Sequence, residues 1–454
     1  MGVRELLHNL PEVRAPTEKK VGFNIALKWT LIILVLFFIL SNIPLFGISG
    51  NALSRFEYLA IMLGTNFGSI ISLGIGPIVM ASIILQLLVG AQILNIDMNT
   101  TEGKKFFQAL QKVLTLAFIL FEAMVYVLMG GIPAQPGYTI LVIFQLCVGG
   151  LLIVYMDEVI QKWGIGSGVS LFIAAGIGSR LFSQLFQFIG PSGVIEPVGQ
   201  IWTFTLSIIA GDSIGALLAI VPIIVTVALF FLVVFAQSLK VEVPLSYDRL
   251  RGYGIKWPLQ FFYVGVIPVI LVSALTANLQ LFAGLVESWL GHPTFLGTFS
   301  GGQAVAGLAF WIGSTPVLNT IITNSFRWEY LLQSIGHITF YVAFSVLFSF
   351  FWVSTSGMDA RSQAEKIMKS GMSIPGFRKD ERILESILKR YVGPLTIMGG
   401  AAIGLLASVA DLLGALVGGT AILLAIMIIY QMYQNIAQKY AIDMNPALRN
   451  FFGN

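Results

Sequence analysis

Between Asp212 and Lys240 the chain carries no charged residue, and only Ser213, Thr226, Gln237 and Ser238 are polar. A helix rises about 1.5 Å per residue, so such a run can cross the roughly 30 Å hydrocarbon core of a bilayer. Comparable runs recur along the chain. Charged residues make up 11% of the sequence, against about 25% in a soluble domain, too few to cover a water-facing surface. The runs are continuous rather than alternating, which predicts helices and not a barrel. Ten spans are expected, at about 22–42, 73–91, 107–129, 138–156, 168–188, 213–237, 258–281, 330–353, 393–412 and 417–437. The basic residues agree with this count: of the 26 lysines and arginines, only Arg55, Arg327 and Arg180 fall outside the tails and loops of one face. The positive-inside bias then puts both termini in the cytoplasm.

Several chemistries are excluded. Cys147 is the only cysteine, and His8, His292 and His337 are far apart in sequence, so no thiolate metal site or HExxH pair can form. There is no Walker loop or nucleophile elbow. No catalytic residue, cofactor or metal ion is expected, and the chain does not read as an enzyme. The charged tail before Val21 is not a cleavable signal. Its "VRELLHNLPEV" reads equally as an interfacial helix or a solvated tail. The segments 43–72, with "LSRFEYLAIMLG", and 282–329, with "GGQAVAGLAFWIG", are too long for plain connectors. Each reads as a surface helix or a re-entrant piece.

Two stretches repeat. "LGIGPIVMASIILQLL" from Leu73 and "VGVIPVILVSALT" from Val264 share Gly74 with Gly265, Pro77 with Pro268 and Ser82 with Ser273. They open spans two and seven, which run in opposite directions, the sign of an inverted five-plus-five repeat. A weaker echo links "GSGVSLFI" at Gly166 with "GGTAILLA" at Gly418, at spans five and ten. Gly and Pro at the mouth of a span are tolerated where the freed backbone meets protein or a wet cavity. Inverted repeats place a pathway at the midplane between the halves.

The residues expected to line that pathway are aliphatic: Ile75, Val79, Val169, Ile173, Ile270 and Leu424. Ile75 and Val79 share a helix face, as do Val169 and Ile173. Each alone reads as core or lipid-facing packing. Together they form a ring that dewets and stops ions, yet offers no hydrogen bond to trap a passing object. An extended polypeptide suits such a constriction. The alternative is an ion-coupled secondary transporter, which would need intramembrane carboxylates on the pathway, and none lies on the Gly-Pro helices.

The stretches "LGIGPIVMASIILQLLVG", "YMDEVIQKWGIGSGVSLFIAAG", "VEVPLSYDRLRG", "GFRKDERILESILKRY" and "LGALVGGTAILL" resemble the SecY family in its archaeal form. The resemblance implies the channel subunit of the Sec protein translocon. It implies an all-α membrane protein with ten transmembrane helices in two inverted five-helix halves around an hourglass pore. By this reading 1–21 is a cytoplasmic segment, 22–190 the first half, 191–437 the second and 438–454 a cytoplasmic tail. A re-entrant plug at about 53–64 closes the outer funnel. The six aliphatic residues match the family's pore ring, and Met80, Glu122 and Asn278 match a lateral gate. Met80 stands where Thr or Ser is frequent, so the gate should be more apolar when shut. Arg249 and Arg251 in the 238–257 loop, with Arg378 and Lys379 in the 354–392 loop, match ribosome-binding positions. Expected partners are a SecE/gamma-type subunit, a small beta-type subunit, the ribosome with its RNA, signal peptides, nascent chains and membrane lipids. The expected location is the plasma membrane.

Overall fold

Gly74 and Gly265 both adopt the left-handed conformation, at φ 57° and 68°, which an L-side chain resists. Each sits two residues before a helix, Gly76–Gly90 in the first half and Ile267–Leu290 in the second. The computed structural model describes residues 11–16, 21–48, 68–90, 93–96, 100–129, 131–188, 197–247, 254–300, 303–369, 372–373 and 380–444. Among these, nine helices are long and apolar enough to cross a membrane. We name the helices in chain order: α1 Phe23–Asn42, α2 Gly76–Gly90, α3 Thr101–Leu128, α4 Thr139–Trp163, α5 Gly168–Phe186, α6 Gln200–Ala210, α7 Ser213–Ser238, α8 Ile267–Leu290, α9 Leu308–Ile312, α10 Val317–Ile322, α11 Trp328–Ser356, α12 Ala360–Lys369, α13 Glu381–Leu412 and α14 Gly419–Met444.

The expected second span is a shorter object than the other nine. α2 has 15 residues, about 22 Å, and hydrogen-bonded turns over 70–75 precede it. Gly74 N–H donates to Ile71 O at 2.9 Å and Gly76 N–H to Leu73 O at 3.2 Å. No residue from Ile71 to Gly90 is exposed, so the helix starts inside protein and need not match the bilayer.

The expected seventh span at 258–281 is displaced to Ile267–Leu290. Residues 254–260 instead form strand β2, Gly254–Gln260, antiparallel to β1, Lys240–Tyr247. The expected ninth span is the outer part of α13, which begins at Glu381 and runs through Pro394. Asp380 accepts from Arg382 N–H at 2.9 Å at its start. The polar "ERILESILKR" segment therefore continues the membrane helix as an amphipathic extension. It buries Leu384 and Leu388 against Ala364 and Ile367 of α12. The start of the 282–329 segment, to Leu290, completes α8, and the rest is not one continuous surface helix. It holds β3 Thr298–Ser300, β4 Gln303–Ala306 and the short helices α9 and α10.

The inverted repeat is written in backbone contacts. A Cβ on Gly149 of α4 would lie 1.9 Å from Ile70 O, in the turn before α2. A Cβ on Gly399 of α13 would lie 2.9 Å from Phe261 O, at the matching place before α8. The second glycine of each doublet seats the next helix. A Cβ on Gly150 would lie 2.9 Å from Ile119 of α3, and one on Gly400 2.5 Å from Ser349 of α11. Small residues let helices approach closely where lipid supplies no hydrophobic drive.

Gly149→Ala should lower the thermal midpoint in detergent sharply, because the carbonyl it meets is backbone and cannot swing away. Gly178→Ala, with nothing within 4 Å, should be neutral or stabilising by up to about 1 kcal/mol.

Candidate functional site: an apolar ring and a seam between halves

The residues expected to line the pathway fall in one large buried apolar cluster. Ile75, Val79, Ile173, Ile270 and Leu424 are all at most 5% exposed, and half-buried Val169 packs against them. They come from both halves: the turn before α2, α2 itself, α5, α8 and α14. The first turns of the two Gly-Pro helices superpose in hydrogen bonding. Val79 N–H donates to Ile75 O at 3.1 Å, and Ile270 N–H donates to Val266 O at 3.2 Å. Val79 and Ile270 are thus equivalent. α8 is buried at every position from Pro268 to Ala274, so Ile270 lies in the interior and not against lipid.

Spans five and ten open alike, one residue away from the register the sequence echo gives. Asp157 Oδ1 accepts from Val169 N–H at 3.0 Å, and Asp411 Oδ1 accepts from Thr420 N–H at 2.8 Å. This pairs Val169 with Thr420 and, one turn later, Ile173 with Leu424. The echo misleads because Val417 takes a left-handed φ of 60°, where the first half has Gly166 at 83°.

A seam between halves runs beside this cluster. α2 packs against both α8 and α11. α3 meets α8 through an apolar cluster that includes Ile119, Ala123, Ala277, Leu281 and Leu285. The Phe121 and Phe282 rings lie 6.3 Å apart. Glu122 is 1% exposed, and neither carboxyl oxygen has a hydrogen-bond partner among the described residues. Asn278 donates to Ala274 O at 2.8 Å and leaves Oδ1 without a partner. Met80 is half-buried against the ring cluster rather than the one holding Glu122's neighbours. The buried polar group on α2 is Gln86, whose Oε1 also lacks a partner. Gln86 and the Ser82–Gln111 bond that ties α2 to α3 at 2.5 Å escape the sequence reading, since single polar residues in apolar runs carry no spacing signal.

The basic face has order of its own. β5, Met372–Ser373, pairs with β1 through Ser246–Ser373 and Tyr247–Met372, so one sheet joins the two basic loops. Arg249, Arg251, Arg378 and Lys379 lie outside the described residues, as do the plug at about 53–64 and the first ten residues of the tail. Residues 11–16 form neither helix nor strand. They are clamped onto α3 and α4: Val13 N–H donates to Glu158 Oε2 at 3.0 Å, Lys112 Nζ to Pro11 O at 2.6 Å, and Trp163 Nε1 to Arg14 O at 2.8 Å. Lys112 also pairs with Glu158.

Family comparisons agree with this geometry. A family model described as SecY matches residues 69–433, and one described as the plug domain of Sec61p matches 35–68. The protein translocase subunit SecY of Methanothermobacter thermautotrophicus is 45% identical over 450 residues, covering 98% of this chain and 97% of that protein. The chain belongs to the SecY family. The Pyrococcus furiosus SecY subunit is 38% identical over the full length of both chains. A solved protein-conducting channel matches with TM-score 0.84 and 37% identity over 98% of this chain and 99% of that one. Sec61 in the canine ribosome-channel complex from the endoplasmic reticulum matches at 0.81 and 36%, over 98% and 99%. The SecY fold is thus present from end to end, with nine long apolar helices and short α2 among the described residues.

One close contact on the SecY seam is sharper than the rest. A Cβ on Gly90, at the end of α2, would lie 2.1 Å from the Phe351 ring on α11. Gly90→Leu should destabilise the closed seam by about 1–3 kcal/mol, as overpacking does. Adding Phe351→Ala should relieve part of that cost, so a double-mutant cycle read by thermal unfolding should show non-additivity.

Proposed function

We infer that this chain is the central channel subunit of a Sec translocon. It conducts unfolded secretory polypeptides across the membrane and releases apolar helices sideways into lipid. The observation that supports this most is the gathering of Ile75, Val79, Val169, Ile173, Ile270 and Leu424 in one buried apolar cluster fed from both halves. An aliphatic constriction excludes ions by dewetting and needs no chemical match to what it passes. It deforms around changing side chains because it makes no directional bonds.

The seam of α2 and α3 against α8 and α11 is the lateral gate, with Glu122 and Asn278 as its buried polar groups and Met80 adding apolar contact toward the ring. An unpaired buried polar group weakens a helix contact, so the shut gate is poised rather than locked. A signal segment opens it by replacing helix contacts with its own. A segment of about 20 apolar residues then leaves sideways, because lipid solvates it better than a wet pore does. The plug at about 53–64 fills the outer funnel until the halves part.

The ribosome docks on the two basic loops. Arg249, Arg251, Arg378 and Lys379 supply cations to ribosomal RNA, and neutralising phosphates releases their counterions. The shared β1–β5 pairing supports a single docking face. A SecE/gamma-type subunit braces the halves and a small beta-type subunit completes the complex. The channel sits in the plasma membrane with both termini cytoplasmic, and a partner supplies the driving force.

Val79→Asp or Ile270→Asp should hydrate the constriction, so reconstituted channels at rest should leak small ions measurably more than the parent. Mutant channels as tight as the parent would sink the assignment of these residues to the seal.

A further inference from the structure

The helices that carry Ile173 and Leu424 are each started by a buried carboxylate from the span before. Asp157, near the end of α4, is 7% exposed; its Oδ1 accepts the Val169 amide and its Oδ2 accepts from Gln161 Nε2 at 2.7 Å. Asp411, near the end of α13, is 5% exposed; its Oδ1 accepts the Thr420 amide and its Oδ2 takes the Thr420 hydroxyl. Each carboxylate comes in close because a glycine opens the helix. A Cβ on Gly168 would lie 2.7 Å from Asp157 Cα, and one on Gly419 would lie 2.0 Å from the Ala410 carbonyl carbon.

From these facts we propose that Asp157 and Asp411 are positioning residues of the seal, one per half, that fix the height and rotation of α5 and α14. This rests on the ring reading above. The first amides of a helix lack partners within it, and an anion there is favoured by the helix dipole as well as by the hydrogen bond. The capped amide and the ring residue are four positions apart in both halves, about 6 Å of rise. A tilt at the cap therefore moves Ile173 or Leu424 directly. The links leading into the caps, "GIGSG" and "LVGG", contain left-handed Gly166 and Gly418. Glycine links alone hold a helix start loosely, so the carboxylate is the anchor. The inverted topology sets one anchor at each end of the constriction. His337 lies beside the second: its Nδ1 donates to Ile312 O at 2.8 Å, and its Nε2 is 3.6 Å from Asp411 Oδ2, beyond hydrogen-bond reach. Gln161 supports the first from its own helix.

The test compares Asp157→Ala, Asp411→Ala and the two Asn variants, as the channel complex in vesicles, with Val79→Asp as the leaking reference. Asn keeps an oxygen for the helix amide and Ala does not. Loss of a cap shifts a two-state equilibrium about fivefold, so the Ala variants should leak about fivefold more at rest, with the Asn variants near the parent. Hydrogen exchange at Val169 and Thr420 should quicken in the Ala variants only, which separates a loosened anchor from a misfolded chain. Ala variants as tight as the parent, beside a leaking Val79→Asp, would overturn the proposal and leave the ring intact. So would Asn variants that leak as much as Ala. If Val79→Asp is also tight, the ring reading itself fails and the anchors fall with it.

Discussion

A backbone amide or carbonyl freed inside hydrocarbon has no water to turn to, and the whole architecture answers that constraint. Among the described residues, the breaks that open α2 and α8 are surrounded by protein, with no exposed residue over 68–76 or 261–267. The turns at 70–75 sit under Gly149 of α4, whose missing side chain lets the Ile70 carbonyl come close. Phe261 and Gly399 repeat the device in the second half. The amides that begin α5 and α14 are met by Asp157 and Asp411. Once these breaks are satisfied, two helices opened by glycine turns and two capped ones can start inside the molecule, and the six residues proposed for the ring lie in or beside their first two turns.

The same economy explains where polar groups are left wanting. The ring proposed here is apolar, so on that reading closing it costs no hydrogen bond. Beside it, Gln86, Glu122 and Asn278 keep buried atoms without partners among the described residues. Unmet buried polar atoms cost free energy, and these lie on helices of the seam. Tight packing such as Gly90 against Phe351 opposes them. If the seam is the lateral gate proposed above, this balance lets it yield to one apolar segment.

Much of this was legible in the chain. The Gly74/Gly265 pairing named the two broken helices, and their identical backbone shows why: only glycine enters a left-handed turn freely. The six residues proposed for the ring rest on family resemblance, since single aliphatic residues in apolar spans carry no signal of their own. The caps were hidden because their partners are backbone amides nine and twelve residues on, across a loop whose length differs between halves. The glycine doublets at 149–150 and 399–400 were visible as letters, yet what they receive is a carbonyl from another helix. The β1–β2 hairpin was overlooked because apolar "WPLQFFYVGV" reads as continuous with the next span, although Pro258 and Gly265 break it. The helical extension from Glu381 through Pro394 is hidden for the converse reason: charged residues come before the apolar pattern, although the helix already starts with them.

The central claim is that a moving polypeptide touches the ring. The direct measurement places a single cysteine at Ile270 in a chain with Cys147 replaced, and another at Ile140, which is 83% exposed on the outer surface of α4. A secretory chain stalled midway, carrying its own cysteine, is then exposed to oxidant. Capture at position 270 and none at 140 is the expected result. Equal capture at both, or none at 270 while the chain is demonstrably halfway across, would contradict the account.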